Sequence, residues 1–245
     1  MKNLLKSIII VLALTLSLSA STGFPKEYYK LQSPASKAYF FNFLESKIEN
    51  ANLKILEERK FILSLDKKTN LDETSPEYKK LLALQKKYKI KKLYNYKNYL
   101  QRIDIVPPSQ AFAQAATESG WGRSRFVKVA NNIFGHWTRN PNNGVVPLRR
   151  EAGKKHLVRK FSSLQASIEA YMLNLNRTGA YSQFRLQREV MRANKQVIDG
   201  LKLSQTMINY SGIGKEYLRI LKSIIRTNKL QKYDKKFHNK IKDDK

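Results

Sequence analysis

Glu118 is the residue whose type and setting point most directly to chemistry. It closes the run Ala115-Ala116-Thr117-Glu118 and stands immediately before Ser119-Gly120-Trp121-Gly122. Counting back along a helix places Ala115, Gln114 and Ala111 on the same side, a small and mostly apolar face that lets a bulky ligand come close. Burial disfavours a charged carboxylate, and the negative end of a helix dipole disfavours it further. A carboxyl kept neutral in this way is what a general acid requires. On the residues alone, a solvated glutamate at a helix terminus remains the alternative. Other chemistries find little support. His136, His156 and His238 are scattered without ligand spacing, so no metal site and no cofactor are expected. There is no glycine-rich phosphate loop and no Ser-His-Asp set. The absence of cysteine excludes disulfides, thiolate metal sites and a lipid anchor on cysteine.

The elements that must position Glu118 can be read from periodicity. Pro107-Pro108 marks a boundary, because a residue before proline avoids the helical region. A short helix is expected over Ser109 to Ser119, ended by Gly120 and Gly122. Upstream, Ser33-Pro34 reads as a helix start. Phe41, Leu44, Ile48, Ala51, Ile55, Ile62 and Leu65 then mark one long amphipathic helix, its stripe interrupted by Glu58. Ser75-Pro76-Glu77 starts a second helix, with Tyr78, Leu81, Leu82 and Tyr88 on one side, and Leu93 to Ile103 forms a third segment. Downstream, Asn140-Pro141-Asn142-Asn143-Gly144 is turn chemistry. Val145 to Arg150 and His156 to Phe161 look like the strands of a small hairpin. Ser162 and Gln165 suggest a capping box, with Leu164, Ile168, Tyr171 and Leu175 buried behind it. Another helix is expected near Ser182 to Asn194. After a break at Tyr210-Ser211-Gly212, a last helix turns Tyr217, Leu221 and Ile224 inward.

Composition bounds the setting. The chain carries 47 Lys and Arg against 19 Asp and Glu, a formal charge of +28. Such a balance implies an acidic partner, and for an exported chain anionic envelope polymers or lipid head groups fit better than nucleic acid. A nucleic-acid role also lacks the interleaved aromatic and basic platform such proteins use. Lys2 and Lys6 precede an apolar run, Ile8 to Leu18, and small residues follow at Ser19-Ala20-Ser21. This reads as an export signal over residues 1–20; the run is shorter than the roughly 20 apolar residues of a membrane span, and an uncleaved anchor is the alternative. The expected organisation is then a helical accessory region at 21–106, a domain at 107–228, and a basic, frayed tail at 229–245.

Two blocks carry a resemblance. VPPSQAFAQAATESGWGRSRF, followed by NNIFGHW, resembles the glucosaminidase domain of bacterial peptidoglycan hydrolases, glycoside hydrolase family 73. The later segments VVPLRREAGKKHLVRKFSS and LSQTMINYSGIGKEYL are similar to its Bax-like group, and the similarity runs from about Pro107 to Ile225. The resemblance implies an α+β, mainly α, lysozyme-like domain with a small β-hairpin lobe, located in the periplasm or cell envelope and acting as a monomer. It implies hydrolysis of the β-1,4 bond after N-acetylglucosamine in peptidoglycan glycan strands, with Glu118 as general acid. It offers Glu151, on the β lobe, as a second catalytic group, and Tyr210 as a phenol that binds the acetamido group or positions water. Tyr217, the next aromatic, lies on the apolar stripe of its helix and is either a packed residue or a substrate contact. Asn131, Asn132, Phe134 and Gly135 form the second block: the amides bond either sugar hydroxyls or the backbone of their own loop, Phe134 is core or sugar platform, and Gly135 permits close approach. Trp137 is either wall or sugar contact; Trp121 reads as core. A lytic transglycosylase and an inactive wall-binding protein remain alternative functions.

Overall fold

Helix α4 (Pro108–Ser119) forms the axis on which the other elements assemble. Proline at its first turn, where the missing N–H costs nothing, and Gly120 in the left-handed region at its end set its limits. The computed structural model describes residues 22–243 apart from 149, 151, 152 and 154. The proposed leader and Glu151 therefore lie outside the described residues. The architecture is mainly α with one small antiparallel sheet. Helices α1 (Ala35–Ser64), α2 (Pro76–Tyr88) and α3 (Tyr96–Arg102) precede α4. They are followed by α5 (Arg125–Ala130), strands β1 (Trp137–Thr138), β2 (Gly144–Val145) and β3 (Leu157–Arg159), and helix α6 (Leu164–Arg177). Helices α7 (Ser182–Ala193), α8 (Gly200–Ser204), α9 (Lys215–Thr227) and α10 (Gln231–Asp243) complete the chain.

Helix α4 packs against α1, α8, α9 and α10. Ten of its 12 residues are buried, leaving only Thr117 and Glu118 near the surface. The helices before residue 107 share this core. Asn52 of α1 exchanges two hydrogen bonds with the Val106 backbone, at 2.8 and 2.9 Å. A second tie is ionic. Asp104 pairs with Arg192, and Arg59 lies 3.6 Å away. Fully buried Arg188 donates to the carbonyls of Gln101, Asp104 and Ile105 and to Asn176 Oδ1. Burial works to raise the Asp104 pKa, but the guanidiniums of Arg188, Arg59 and Arg192 prevail and hold it below the usual carboxylate range.

Several local expectations need correction. Ser33 does not cap α1; Pro34 occupies the cap position with no side-chain bond. On α2, Leu84 joins Leu81 and Tyr88 inside, whereas Leu82 faces out. Glu58 accepts from Lys87 and Tyr88, both at 2.6 Å, so the break in the α1 stripe is the joint to α2. The cap of α6 is Ser163, one residue later than expected, accepting from Ala166 N–H at 3.1 Å. In α9 the residue beside Leu221 that is fully buried is Ile225 rather than Ile224. The hairpin is a three-stranded sheet with β3 at its centre, because Trp137–Thr138 pairs with β3 on the side opposite β2. The basic tail is not frayed: Leu230 just before α10, and Asp234 and Phe237 on it, are buried in the core, and α10 packs on α4 and α8.

Candidate active site

Directly after Glu118 the backbone winds through three consecutive left-handed residues, Gly120 (φ +55°), Trp121 (φ +57°) and Gly122 (φ +72°). Such a path costs an L-residue about 1–2 kcal/mol, so neighbours must hold it. Ser119 Oγ accepts from Gly122 N–H at 2.7 Å, and Trp121 N–H donates to Ala116 O at 2.9 Å. Tyr28 donates its hydroxyl to the Trp121 carbonyl. Trp121 itself packs edge-on to Phe40 and Phe41, in agreement with a core role. The turn is thus clamped by the segment just after residue 21. Phe24 covers Gly122, where an added Cβ would stand 2.4 Å from its ring.

Glu118 is half-buried at this turn. Its small helical face is not a ligand surface, since Ala111, Gln114 and Ala115 are fully buried. Approach is from the other side, where exposed Gly135 crosses the carboxyl; a Cβ there would lie 3.7 Å from Glu118 Oε2. Four phenols share the neighbourhood. Tyr217 from α9 approaches the carboxylate as a hydrogen-bond donor. Tyr171 from α6, Tyr181 at the end of a 3-10 turn, and Tyr210 each feel its charge. Tyr210 stacks parallel to Tyr217 at 5.7 Å and meets Tyr171 edge-on at 6.3 Å. Burial raises the Glu118 pKa, and the Tyr217 bond only partly opposes that rise. The four phenols are themselves raised by burial and stay neutral, so Glu118 is the acidic group among them.

The structure sorts the other candidates. Asn131, in the left-handed region at the end of α5, accepts from Gly23 N–H at 2.7 Å and donates to Phe161 O at 3.2 Å. Asn132 donates to His136 O and Arg159 O and accepts from His136 N–H. Both amides are buried and spent on backbone, Asn131 on Gly23 and Phe161 and Asn132 on His136 and Arg159, which corrects the sugar-contact option. Phe134 is likewise core, stacked on Tyr171 at 3.9 Å, and only its carbonyl looks toward the site, accepting from Tyr210 at 3.3 Å. Tyr217 is buried and reaches Glu118 rather than solvent. Tyr210 is half-buried beside Glu118, and Gly135 lies over it. Trp137 is 57% exposed on β1, its ring edge-on to His156 at 4.5 Å. His136 packs against Phe161, and burial with Arg159 nearby pushes its pKa down to about 4, so it is neutral. Among the described residues no cluster of His, Asp and Glu could hold a metal ion.

Tyr171 and Tyr181 enter the site without having been marked as site residues, and Gln114 reads in sequence only as part of the face behind Glu118. Tyr171 sits on the apolar stripe of α6, where only its hydroxyl distinguishes it from a core residue. Tyr181 follows Gly179 at a helix break, a position that carries no periodic signal.

Comparison with known proteins identifies the family. The model of the Glucosaminidase family, described as mannosyl-glycoprotein endo-beta-N-acetylglucosaminidase, matches residues 94–230. The chain is 32% identical over 206 residues to "Protein bax" of Escherichia coli (strain K12), covering 82% of this chain and 72% of that protein. No solved structure gives a significant match.

Proposed function

Since the chain belongs to the glucosaminidase family, as a Bax-like member, we propose that it is an exported endo-β-N-acetylglucosaminidase acting on peptidoglycan. The bond cleaved is the β-1,4 linkage after N-acetylglucosamine, on a domain of lysozyme-like fold. The observation that carries this reading is Glu118: a half-buried carboxyl, raised by desolvation, at a strained helix end among neutral phenols.

Glu118 protonates the glycosidic oxygen as the bond to the anomeric carbon breaks, and positive charge develops on the sugar ring. Tyr210 donates to the Phe134 carbonyl, which leaves its oxygen lone pairs to accept from the acetamido N–H of the substrate. Glu151 of the β lobe is the proposed second carboxylate; the substrate's own acetamido oxygen serves if it is not. Trp137 offers an indole face to the sugar CH surface. The chain works as a monomer in the periplasm or envelope, its basic surface held near anionic polymers.

Glu118→Gln is expected to lower sacculus digestion by at least about a hundredfold, the lower range for a positioned acid. Its melting temperature should not fall below that of the parent. Retained digestion would remove Glu118 from the mechanism. A lytic transglycosylase is the second reading, since it would use the same single acid, Glu118, without a second carboxylate. Mass spectrometry separates the two, a reducing N-acetylglucosamine end against a 1,6-anhydro-muramyl end.

A further inference from the structure

We propose that Gln114 is a positioning residue for Glu118: its amide orients a one-way hydrogen-bond chain from Tyr171 through Gln114 and Tyr217 to the Glu118 carboxyl. The proposal rests on Glu118 being the acid of the reaction. Gln114 lies one helical turn before Glu118 and is fully buried. Its Oε1 accepts from the Tyr171 hydroxyl at 2.6 Å and from Gln110 Nε2 at 3.1 Å. Both lone pairs of that oxygen are used, so the amide nitrogen faces the other way and donates to Tyr217 Oη at 3.1 Å. Accepting a hydrogen bond from Gln114 leaves Tyr217 its own hydroxyl proton to donate, and the group it approaches is Glu118.

Each link follows from the one before. Tyr171 donates to Gln114 Oε1, Gln110 adds a second donor to that oxygen, and Gln114 Nε2 is left to donate to Tyr217, which lies beside Glu118. The charged or titratable groups facing Glu118 are Tyr217 of α9, Tyr171 of α6, Tyr181 and Tyr210, all phenols. The unsatisfied atom of the network, Gln110 Oε1, sits at the end remote from Glu118.

The test is a carbon-13 titration of Glu118 in the full chain, read together with the pH profile of kcat/KM on sacculi. Tyr217→Phe removes the donor, so the Glu118 titration and the alkaline limb of activity should both move up by about half to one pH unit. Gln114→Leu should move both in the same direction with KM unchanged, and adding it to Tyr217→Phe should move them no further. Tyr171→Phe keeps its packing volume, breaks the chain one link upstream, and should give a smaller displacement of the same sign. That variant decides the matter if Gln114→Leu does not fold. A titration that stays in place in Gln114→Leu or Tyr171→Phe, or effects that simply add in the double variant, would overturn the proposal. The titration can be read whether or not the wild-type chain digests wall, so loss of the glucosaminidase reading would be seen separately.

Discussion

At the scale of single residues, the raised pKa of Glu118 bears on stability as well as on activity. Burial raises its pKa above 4.5, so the folded chain holds this proton more tightly than the unfolded chain. Stability therefore falls as pH rises from 4.5 through the raised value, and catalysis by the protonated acid is lost over the same upper range. Glu118→Gln has no proton to lose. Urea unfolding at a series of pH values should show the glutamine variant gaining on the wild type as pH rises, with the two closest in acid. Curves that stay parallel from acid to neutral pH would mean that the site does not desolvate this carboxyl. The residue's setting at a half-buried helix end was legible in sequence because few acids are present and this one precedes a Gly-Trp-Gly turn. Its partners were less so. Asn131 and Asn132 look like sugar ligands in a linear reading, since nothing in their spacing tells that Gly23, 108 residues away, will claim the amide of Asn131.

At the scale of elements, helices with strong periodicity were readable to within a few residues, and the errors fall where tertiary contacts override pattern. Arg185 and Arg188 are buried on α7 because carbonyls of other segments satisfy their guanidiniums, a possibility that hydrophobic periodicity does not encode. Strand β1 is two residues long, too short to alternate. The turn after α4 permits a direct test of what holds the site. At Gly120 an added Cβ meets nothing within 4 Å, so Gly120→Ala should cost only the left-handed backbone, about 1–2 kcal/mol. At Gly122 the same atom would strike Phe24, whose ring is already packed on Tyr28, Phe40 and Phe43. Gly122→Ala should add an overpacking cost of about 1–3 kcal/mol to the backbone cost. It should also lower activity, because Phe24 and the Glu118 turn must move together. Equal losses at the two glycines would show that residues 22–24 do not brace the turn.

At the scale of the whole molecule, the chain's last helix holds the first turn of its central one. Asp234 of α10 accepts from Ser109 N–H at 2.8 Å, Ser109 Oγ at 2.6 Å and Gly200 N–H at 2.9 Å, joining α10, α4 and α8 at the end of α4 opposite Glu118. Gly200 is required there, since a Cβ would stand 2.2 Å from Ser109 Oγ. Charge composition alone made this segment look like a solvated tail; its buried face is carried by Leu230, Asp234 and Phe237, too few positions to stand out among the lysines. Burial pushes the Asp234 pKa up to about 7, against the three hydrogen bonds that pull it down. The folded state thus binds this proton more tightly than an unfolded aspartate at 3.8, and the clamp weakens as pH rises from about 4 to 7. Asp234→Asn keeps one acceptor but turns an amide N–H toward Gly200 N–H, so it should be less stable than the wild type in acid. That deficit should narrow toward neutral pH, where the wild type must ionise a buried group and the variant has none to ionise. Thermal melts of both chains from pH 4 to 8 measure the difference, with Glu118→Gln as the background so that the other buried acid does not contribute. A deficit that is constant across the series would show that Asp234 acts as an ordinary ionised cap, and that the junction of α10 with α4 is insensitive to pH.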